Sequence, residues 1–479
     1  MHAATLTAAG PAPATLGGLL MLALRGARVA VIGLGDTGLS LACWLAGHGA
    51  LVEVSDTRAE PPGLAALRRE LSQAKLALGA APDAAVARAD IVAVSPGVDR
   101  RRGAVSEAAR RGVPVVGDVE LFAQSLAARN DAAPVIAITG SNGKSTVTAM
   151  AGGICAAAGL HPVVAGTIGL PVLDAWSKIE AGAAMPGAFV LELSSFQLES
   201  TVSLNARAAT VLNLSEDHLD RYDGMAEYAA AKARIYAGDG VQVFNRNDAW
   251  SRGMALPGRR HASFGMDAAT ADGDWGLAGD ADGAGLCRGG NRLMDAQRLR
   301  VAGQHNAVNA LAAGALCHLI GVSDAAIVAG WTDFEGLPHR VKLINRINNI
   351  EFYDDSKGTN VGATVAALNG FASPVVLIAG GDGKGQDFSP LADAARGRAR
   401  AVVLIGRDAP LIAAAIGDAA PLLHAGDMNE AVQLASATAR PGDAVLLSPA
   451  CASYDMFRNY VHRAEVFAAA VAALQRSRA

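Results

Sequence analysis

The run Pro134–Thr139 is apolar and β-branched, and it leads into Gly140-Ser141-Asn142-Gly143-Lys144-Ser145-Thr146 followed by an alanine-rich helical pattern. At such a turn, backbone N–H groups and the dipole of the following helix face an anion. Lys144 is placed to neutralise β- and γ-phosphate charge, and the Ser145 hydroxyl suits Mg²⁺. The loop departs from GxxxxGK[ST], because Ile138 stands five residues before Gly143. A GK[ST] triplet arises often by chance, but not one set between a buried strand and a helix. The loop reads as an ATP site.

Phosphate chemistry needs partners. Glu192 lies inside the apolar strand FVLELSS, where a carboxylate is costly to bury unless it meets a cation. The bland reading is a satisfied core acid. His218, in SEDHLDRY, follows a strand at its carboxyl end, where α/β proteins place ligands. Its imidazole could serve a second metal. Lys232, in MAEYAAAKARIY, reads on residue type alone as a solvated helix charge.

A second glycine loop lies earlier. Residues 33–38 are GLGDTG, a literal GxGxxG between a strand and a helix, with Asp56 closing the next strand. That pattern suits a nicotinamide dinucleotide, yet any nucleotide diphosphate would satisfy its physics. A turn that binds nothing is the bland alternative.

These residues need parallel sheets to carry them. Short β-branched runs alternate with longer Ala/Leu-rich stretches in three groups, which predicts α/β architecture with three domains. The first group holds the runs at 27–34, 50–56 and 89–97; the second, those at 134–140, 188–195 and 209–217. The third holds the runs at 350–356, 374–381, 401–406 and 443–449. A polar helix-like stretch near 118–131 joins the first two, and the Gly/Pro-punctuated 330–340 joins the last two. Residues 265–292, rich in Gly, Asp and Ala, read as an irregular excursion or an edge hairpin.

The 479 residues exceed one compact core. A formal net charge of −4 offers no surplus of positive charge for a nucleic-acid backbone. No apolar run approaches the roughly 18–20 residues of a membrane helix, and Leu16–Leu24 ends at Arg25. The start of the chain lacks the basic residues of a signal peptide. Five scattered cysteines form no CxxC pair, so neither a zinc site nor a disulfide framework is indicated. A cytoplasmic protein without nucleic-acid or membrane partners is expected, with residues 1–25 a poorly ordered extension.

Taken in order, TGSNGKST, LELSSFQLE, NLSEDHLDRY and AAKARIY resemble the ATP-dependent Mur ligase family. QHNAVNA, GLPHR, DDSKGTN, GGDGKGQDF and LLSPACASYDMF resemble the branch that adds D-glutamate to UDP-N-acetylmuramoyl-L-alanine. The likeness spans nearly the whole chain. It implies a UDP-substrate-binding Rossmann-like domain over 1–122, a P-loop parallel-sheet central ATPase domain over 123–336 and a Rossmann-like amino-acid-binding domain over 337–479. It implies a reaction in peptidoglycan synthesis: ATP activates the alanyl carboxylate as an acyl phosphate, and D-glutamate attacks it. The family is usually monomeric.

By motif position the resemblance implies that Ser145 and Glu192 hold one Mg²⁺ and His218 a second. Lys232 falls where the family carries a CO₂-derived carbamate that bridges toward that second ion, which reverses its bland reading. Asn306, His339, Arg340, Asp355 and Lys357 join residues 140–146 around ATP. Thr359, Lys384 and Ser453 fall at the D-glutamate positions, with Tyr460 where a phenylalanine is expected. Gly35, Asp36 and Thr37 lie near the UDP diphosphate, Asp56 and Thr57 near the uracil, and Ser95 and Gly97 in the same cleft. Thr167 stands where an asparagine usually meets the muramoyl group. Within the same class the alternative is a sister ligase or a folylpolyglutamate synthase; in other classes the alternatives are a nicotinamide oxidoreductase and an ATPase that ligates nothing.

Overall fold

The computed structural model describes residues 23–478 except 270, 281–282 and 302, so most of the expected N-terminal extension lies outside the described residues. Three sheets carry the chain. The first comprises β1 (Arg28–Ile32), β2 (Leu51–Asp56), β3 (Lys75–Leu78), β4 (Ile91–Val94) and β5 (Val115–Val116), in the order β3-β2-β1-β4-β5. Every pairing in it is parallel.

The second sheet has nine strands: β6 (Val135–Thr139), β7 (Val163–Gly166), β8 (Phe189–Glu192), β9 (Ala208–Val211), β10 (Val241–Asn245), β11 (His261–Phe264), β12 (Trp275–Asp280), β13 (Gly283–Arg288) and β14 (Asn291–Asp295). Their order is β14-β13-β12-β11-β10-β9-β6-β8-β7, parallel except for the antiparallel pairs β12–β13 and β13–β14. Of the two readings of residues 265–292, the edge hairpin is the one formed. The strand carrying the phosphate loop, β6, is an interior strand with β8 and β9 beside it. Its residues Val135 to Ile138 are almost wholly excluded from solvent, which fits a run buried on both faces.

The third sheet holds β15 (Lys342–Ile347), β16 (Ile350–Asp354), β17 (Val375–Gly380), β18 (Ala399–Ile405), β19 (Leu422–His424) and β20 (Ala444–Leu447), in the order β15-β16-β20-β17-β18-β19. Only β15–β16 is antiparallel. No helix among the described residues is long and apolar enough to cross a membrane.

The polar helix-like stretch expected near 118–131 forms a helix, Asp118–Ala127, and that helix is buried from Asp118 to Leu126. Its polar side chains serve as internal anchors. Glu120 accepts from the N–H groups of Val202 (2.7 Å) and Ser203 (3.0 Å), and Asp118 accepts from Gln197 Nε2 at 3.2 Å. Composition alone could not separate a polar helix in water from one whose polar groups are satisfied inside. The helix runs unbroken across residue 122.

Candidate active site

The phosphate loop joins β6 to the helix Lys144–Ala157. Gly143 takes φ +81°, and a Cβ there would lie 2.7 Å from Asn309 Oδ1, so only glycine fits the turn without strain or displacement. No side chain caps the helix, which leaves its first N–H groups directed into the loop. Lys144 Nζ donates to the carbonyls of Gly140 and Ser141, both at 2.9 Å. Burial lowers its pKa, opposed by Glu192 and Asp217.

Parallel pairing sets Glu192 against Ile138 on one side and Gly166 on the other, one step from the loop. Glu192 is 2% exposed, and its Oε2 has no hydrogen-bond partner. A buried, orphaned carboxylate oxygen among lysines is suited to a cation. His218 sits in the left-handed region at φ +57°, edge-on to Phe196 at 4.8 Å. Burial, aided by three nearby lysines, lowers its pKa to about 4, leaving a neutral imidazole with a free lone pair. Lys232 is 1% exposed and bonds Gly140 O at 2.9 Å and Thr139 Oγ1 at 3.2 Å. Burial first, then Lys144, drives its pKa well below the ordinary lysine value. The solvated-charge reading of Lys232 is therefore corrected: the helix turns this side chain inward.

Among the described residues no group of three or more His, Cys, Asp or Glu forms a ready metal cage. Mg²⁺ binds through one or two carboxylates together with water and substrate phosphates. Ser145, Glu192 and His218 fit such a partial set.

The third domain closes the loop from the other side. Arg340 Nη2 donates to Ser145 Oγ at 2.8 Å, and Asn360 Nδ2 to Asn142 Oδ1 at 3.1 Å. Lys357 Nζ lies 3.8 Å from the Tyr460 ring centroid, and burial lowers its pKa to about 8. His339 Nδ1 meets Asp354 Oδ2 at 2.6 Å. Asp355 accepts from Ser448 Oγ at 2.6 Å, and burial raises its pKa to about 7. Lys384, at φ +53°, pairs with Asp217 of the central domain at 2.9 Å.

Gln386 ties the loops that carry Thr359 and Ser453: its Oε1 accepts from Val361 N and its Nε2 donates to Ala450 O, both at 2.8 Å. Thr167 Oγ1 donates to Gln197 Oε1 at 2.8 Å. Asn306 opens the helix Gln304–Leu319, whose Asn309 faces Gly143. Asn309 and Gln386 stand inside motifs already quoted, but nothing in their type separated them from surface amides.

The first glycine loop borders a separate cavity of about 590 Å³, lined among others by Gly33, Gly35, Asp56, Thr57, Ser95 and Gly97. Asp36 and Thr37 begin the adjoining helix Asp36–Gly47. Both oxygens of Asp56 are engaged: Oδ1 by Arg58 N and Nε (2.9 Å each), Oδ2 by Arg58 Nη2 (2.7 Å) and Leu34 N (2.8 Å). The Arg58 pairing lowers its pKa to about 2. A carboxylate so committed braces the glycine turn and is poorly free for a ribose hydroxyl. Arg58 and Arg102 also line the cavity and add the positive charge that a diphosphate needs. Sequence reading passed over both, since arginines in exposed loops carry no local signature.

Three family models cover the chain in order: the Mur ligase MurD-like N-terminal domain over residues 27–117, the Mur ligase middle domain over 138–317, and the Mur ligase glutamate ligase domain over 339–451. The chain belongs to the Mur ligase family. It is 56% identical over 471 residues to the UDP-N-acetylmuramoylalanine–D-glutamate ligase of Thiobacillus denitrificans, covering 96% of this chain and 98% of that one. The protein of that name from Methylobacillus flagellatus is 56% identical over 457 residues, covering 95% and 99%. The fold of this Mur ligase resembles the UDP-N-acetylmuramate–alanine ligase of Thermotoga maritima, at TM-score 0.57 and 20% identity over 94% and 100% of the two chains. It also resembles a folylpolyglutamate synthase of Mycobacterium tuberculosis, solved with ADP and AMPPCP, at TM-score 0.53 and 17% identity over 73% and 94%.

Proposed function

We propose that this Mur ligase joins D-glutamate to UDP-N-acetylmuramoyl-L-alanine at the expense of ATP, in the cytoplasmic stage of peptidoglycan synthesis. The observation that carries the reading is near-full-length identity of 56% to two ligases of that name, combined with a phosphate loop that Arg340 closes from a second domain.

The alanyl carboxylate oxygen attacks the γ-phosphorus of ATP, ADP leaves, and an acyl phosphate forms. The D-glutamate amine then attacks the acyl carbon, loses a proton and expels phosphate. Each step brings anions together, so Lys144 and Arg340 must carry phosphate charge as it develops. Lys144 would exchange its two carbonyl contacts for phosphate oxygens, and Asn142, Thr146 and Asn306 would line the nucleotide. His339, Asp355 and Lys357 would close over it. Bound Mg²⁺ supplies charge neutralisation on the transferred phosphoryl group. Ser145 and Glu192 would hold one such ion and His218 a second.

Lys232 would carry a carbamate. Its buried amine is held toward the neutral form, which is nucleophilic to CO₂, and no carboxylate forms an ion pair with it among the described residues. A carbamate there would supply anionic charge for the second ion. Lys384, Thr359 and Ser453 would receive D-glutamate, with Tyr460 against Lys357 beside them. UDP would occupy the cavity beside Gly35, and Thr167 would meet the muramoyl end.

The test is phosphate release from ATP with Mg²⁺, UDP-N-acetylmuramoyl-L-alanine and one amino acid at a time. Turnover with D-glutamate alone is expected. Turnover with L-lysine or meso-diaminopimelate instead, or release that ignores the acceptor, would refute it.

A further inference from the structure

The two candidate ligand sites are separate, and a polar cluster lies between them, touching the rim of one and the loop of the other. Its centre is Arg221, a guanidinium only 9% exposed. Nη2 donates to Val98 O at 3.0 Å and to Glu199 Oε2 at 2.9 Å, and Nε lies 3.6 Å from Asp99 Oδ1. Val98 and Asp99 line the cavity of the first domain, whereas Glu199 and Arg221 belong to the central domain. A single side chain therefore spans the domain junction.

The same residue holds the loop that carries His218. Arg221 N donates to His218 O at 2.9 Å, and Tyr222 N donates to it at 3.1 Å. The guanidinium lies 4.7 Å from the Phe196 ring centroid, and that ring meets His218 edge-on at 4.8 Å. Tyr222 OH donates to Glu199 Oε1 at 2.7 Å, and Arg101 bridges Asp99 to Glu227 at 3.2 and 3.0 Å. Every group in the cluster thus braces either the cavity rim at 97–102 or the loop at 215–222.

We infer that Arg221 is a positioning residue that sets the span between the cavity and the phosphate loop, so that a long nucleotide substrate engages both ends at once. The inference rests on the proposed use of that cavity for UDP. A ruler of this kind makes a particular demand. A ligand that fills only one end does not sense it; a ligand that must reach both does. Arginine suits the task because its planar fork bonds a carbonyl and a carboxylate in fixed directions, which a lysine cannot reproduce.

The experiment compares Arg221→Met and Arg221→Lys with the wild-type protein by calorimetric titration of UDP, ADP and UDP-N-acetylmuramoyl-L-alanine. UDP and ADP affinities are expected within about twofold of wild type, while the full substrate binds about tenfold more weakly or worse, as for truncation of one member of a buried charge pair. Equal weakening of UDP and full substrate would make Arg221 a wall of the cavity and overturn the inference. So would unchanged binding of all three, or a loss that extends to ADP. Should Arg221→Met fail to fold, Glu199→Gln removes the same pairing more gently and is expected to act in the same direction.

Hydrogen exchange supplies an arm that needs no substrate. Residues 97–102 and 215–222 should lose protection together in the variant, and loss in one loop alone would refute the clamp. If the wild-type protein ligates no D-glutamate, the proposed function falls while this arm still decides the role of Arg221.

Discussion

The central domain meets its two neighbours through different physics. Toward the first domain, one hydrophobic cluster runs across the boundary, from Leu41, Trp44 and Leu45 through Phe122 to Trp176 and Phe189. Phe122 touches Trp176 and Phe189 edge-on at 5.5 and 5.0 Å, and Trp44 and Trp176 both donate their indole N–H to Glu180, at 3.0 and 2.9 Å. Toward the third domain, no such cluster is shared among the described residues. The cores of that domain contain only residues from 344 and 341 onward. The contacts are polar: Arg340 with Ser145, Asn360 with Asn142, Lys384 with Asp217, and Asp387 N with Glu216 at 3.0 Å. Apolar burial is expensive to undo, whereas exchange of polar contacts for water or ligand costs little. The first junction is therefore costly to separate, and the second is the one whose contacts exchange at little cost.

The largest expected effect lies inside the central domain, beside the phosphate loop. Lys232→Ala should abolish nearly all turnover while the fold persists, with partial recovery on adding short-chain carboxylates. A carboxylate titration of the variant checks this, and absence of recovery would remove the carbamate. Phe122→Ala should cost about 3–5 kcal/mol, in the range of large buried aromatics. Denaturant unfolding measures it, and a loss near zero would mean that the apolar junction is not what holds the first two domains.

Lys384→Ala tests the polar junction. It should raise the KM for D-glutamate by roughly tenfold or more, the cost of one charged hydrogen bond, with thermal stability almost unchanged. A large fall in melting temperature without a change in KM would mean that the second junction is structural. High salt sharpens the contrast further: with a Debye length of about 3 Å at 1 M, the partly exposed Lys384–Asp217 pair weakens while the apolar contacts are not loosened by screening. Small-angle scattering should then register expansion from the third domain alone.

The smallest effect is a pH dependence. Burial raises the Asp355 pKa to about 7, so between about pH 4 and 7 the folded chain holds a proton that the unfolded chain has lost. Its contribution is complete below about pH 4 and disappears as pH rises through 7. Asp355→Asn should flatten the change in melting temperature across that window, as calorimetry at several pH values would measure.

Much of this was legible in one dimension. The runs around Val31, Ile138 and Ile378 could be placed as strands because a parallel sheet buries both faces and demands continuous apolar residues. Short or edge strands such as β3, β7 and β19 escaped notice, being brief and only half-buried. The motifs located the phosphate loop and its partners, but residue type alone misjudged Lys232. A lysine on an alanine-rich helix looks the same whether it faces water or the carbonyl of Gly140.

Local chemistry, then, was written in the chain: a glycine turn before a helix presents its N–H groups wherever it sits, because the four residues involved dictate that geometry. What only the tertiary structure decided were the long-range relations. They include the approach of Arg340 to Ser145 across 195 positions and the span of Arg221 between two domains. Such contacts depend on how whole domains are apposed, and burial and net pairing are properties of that apposition rather than of any residue's type.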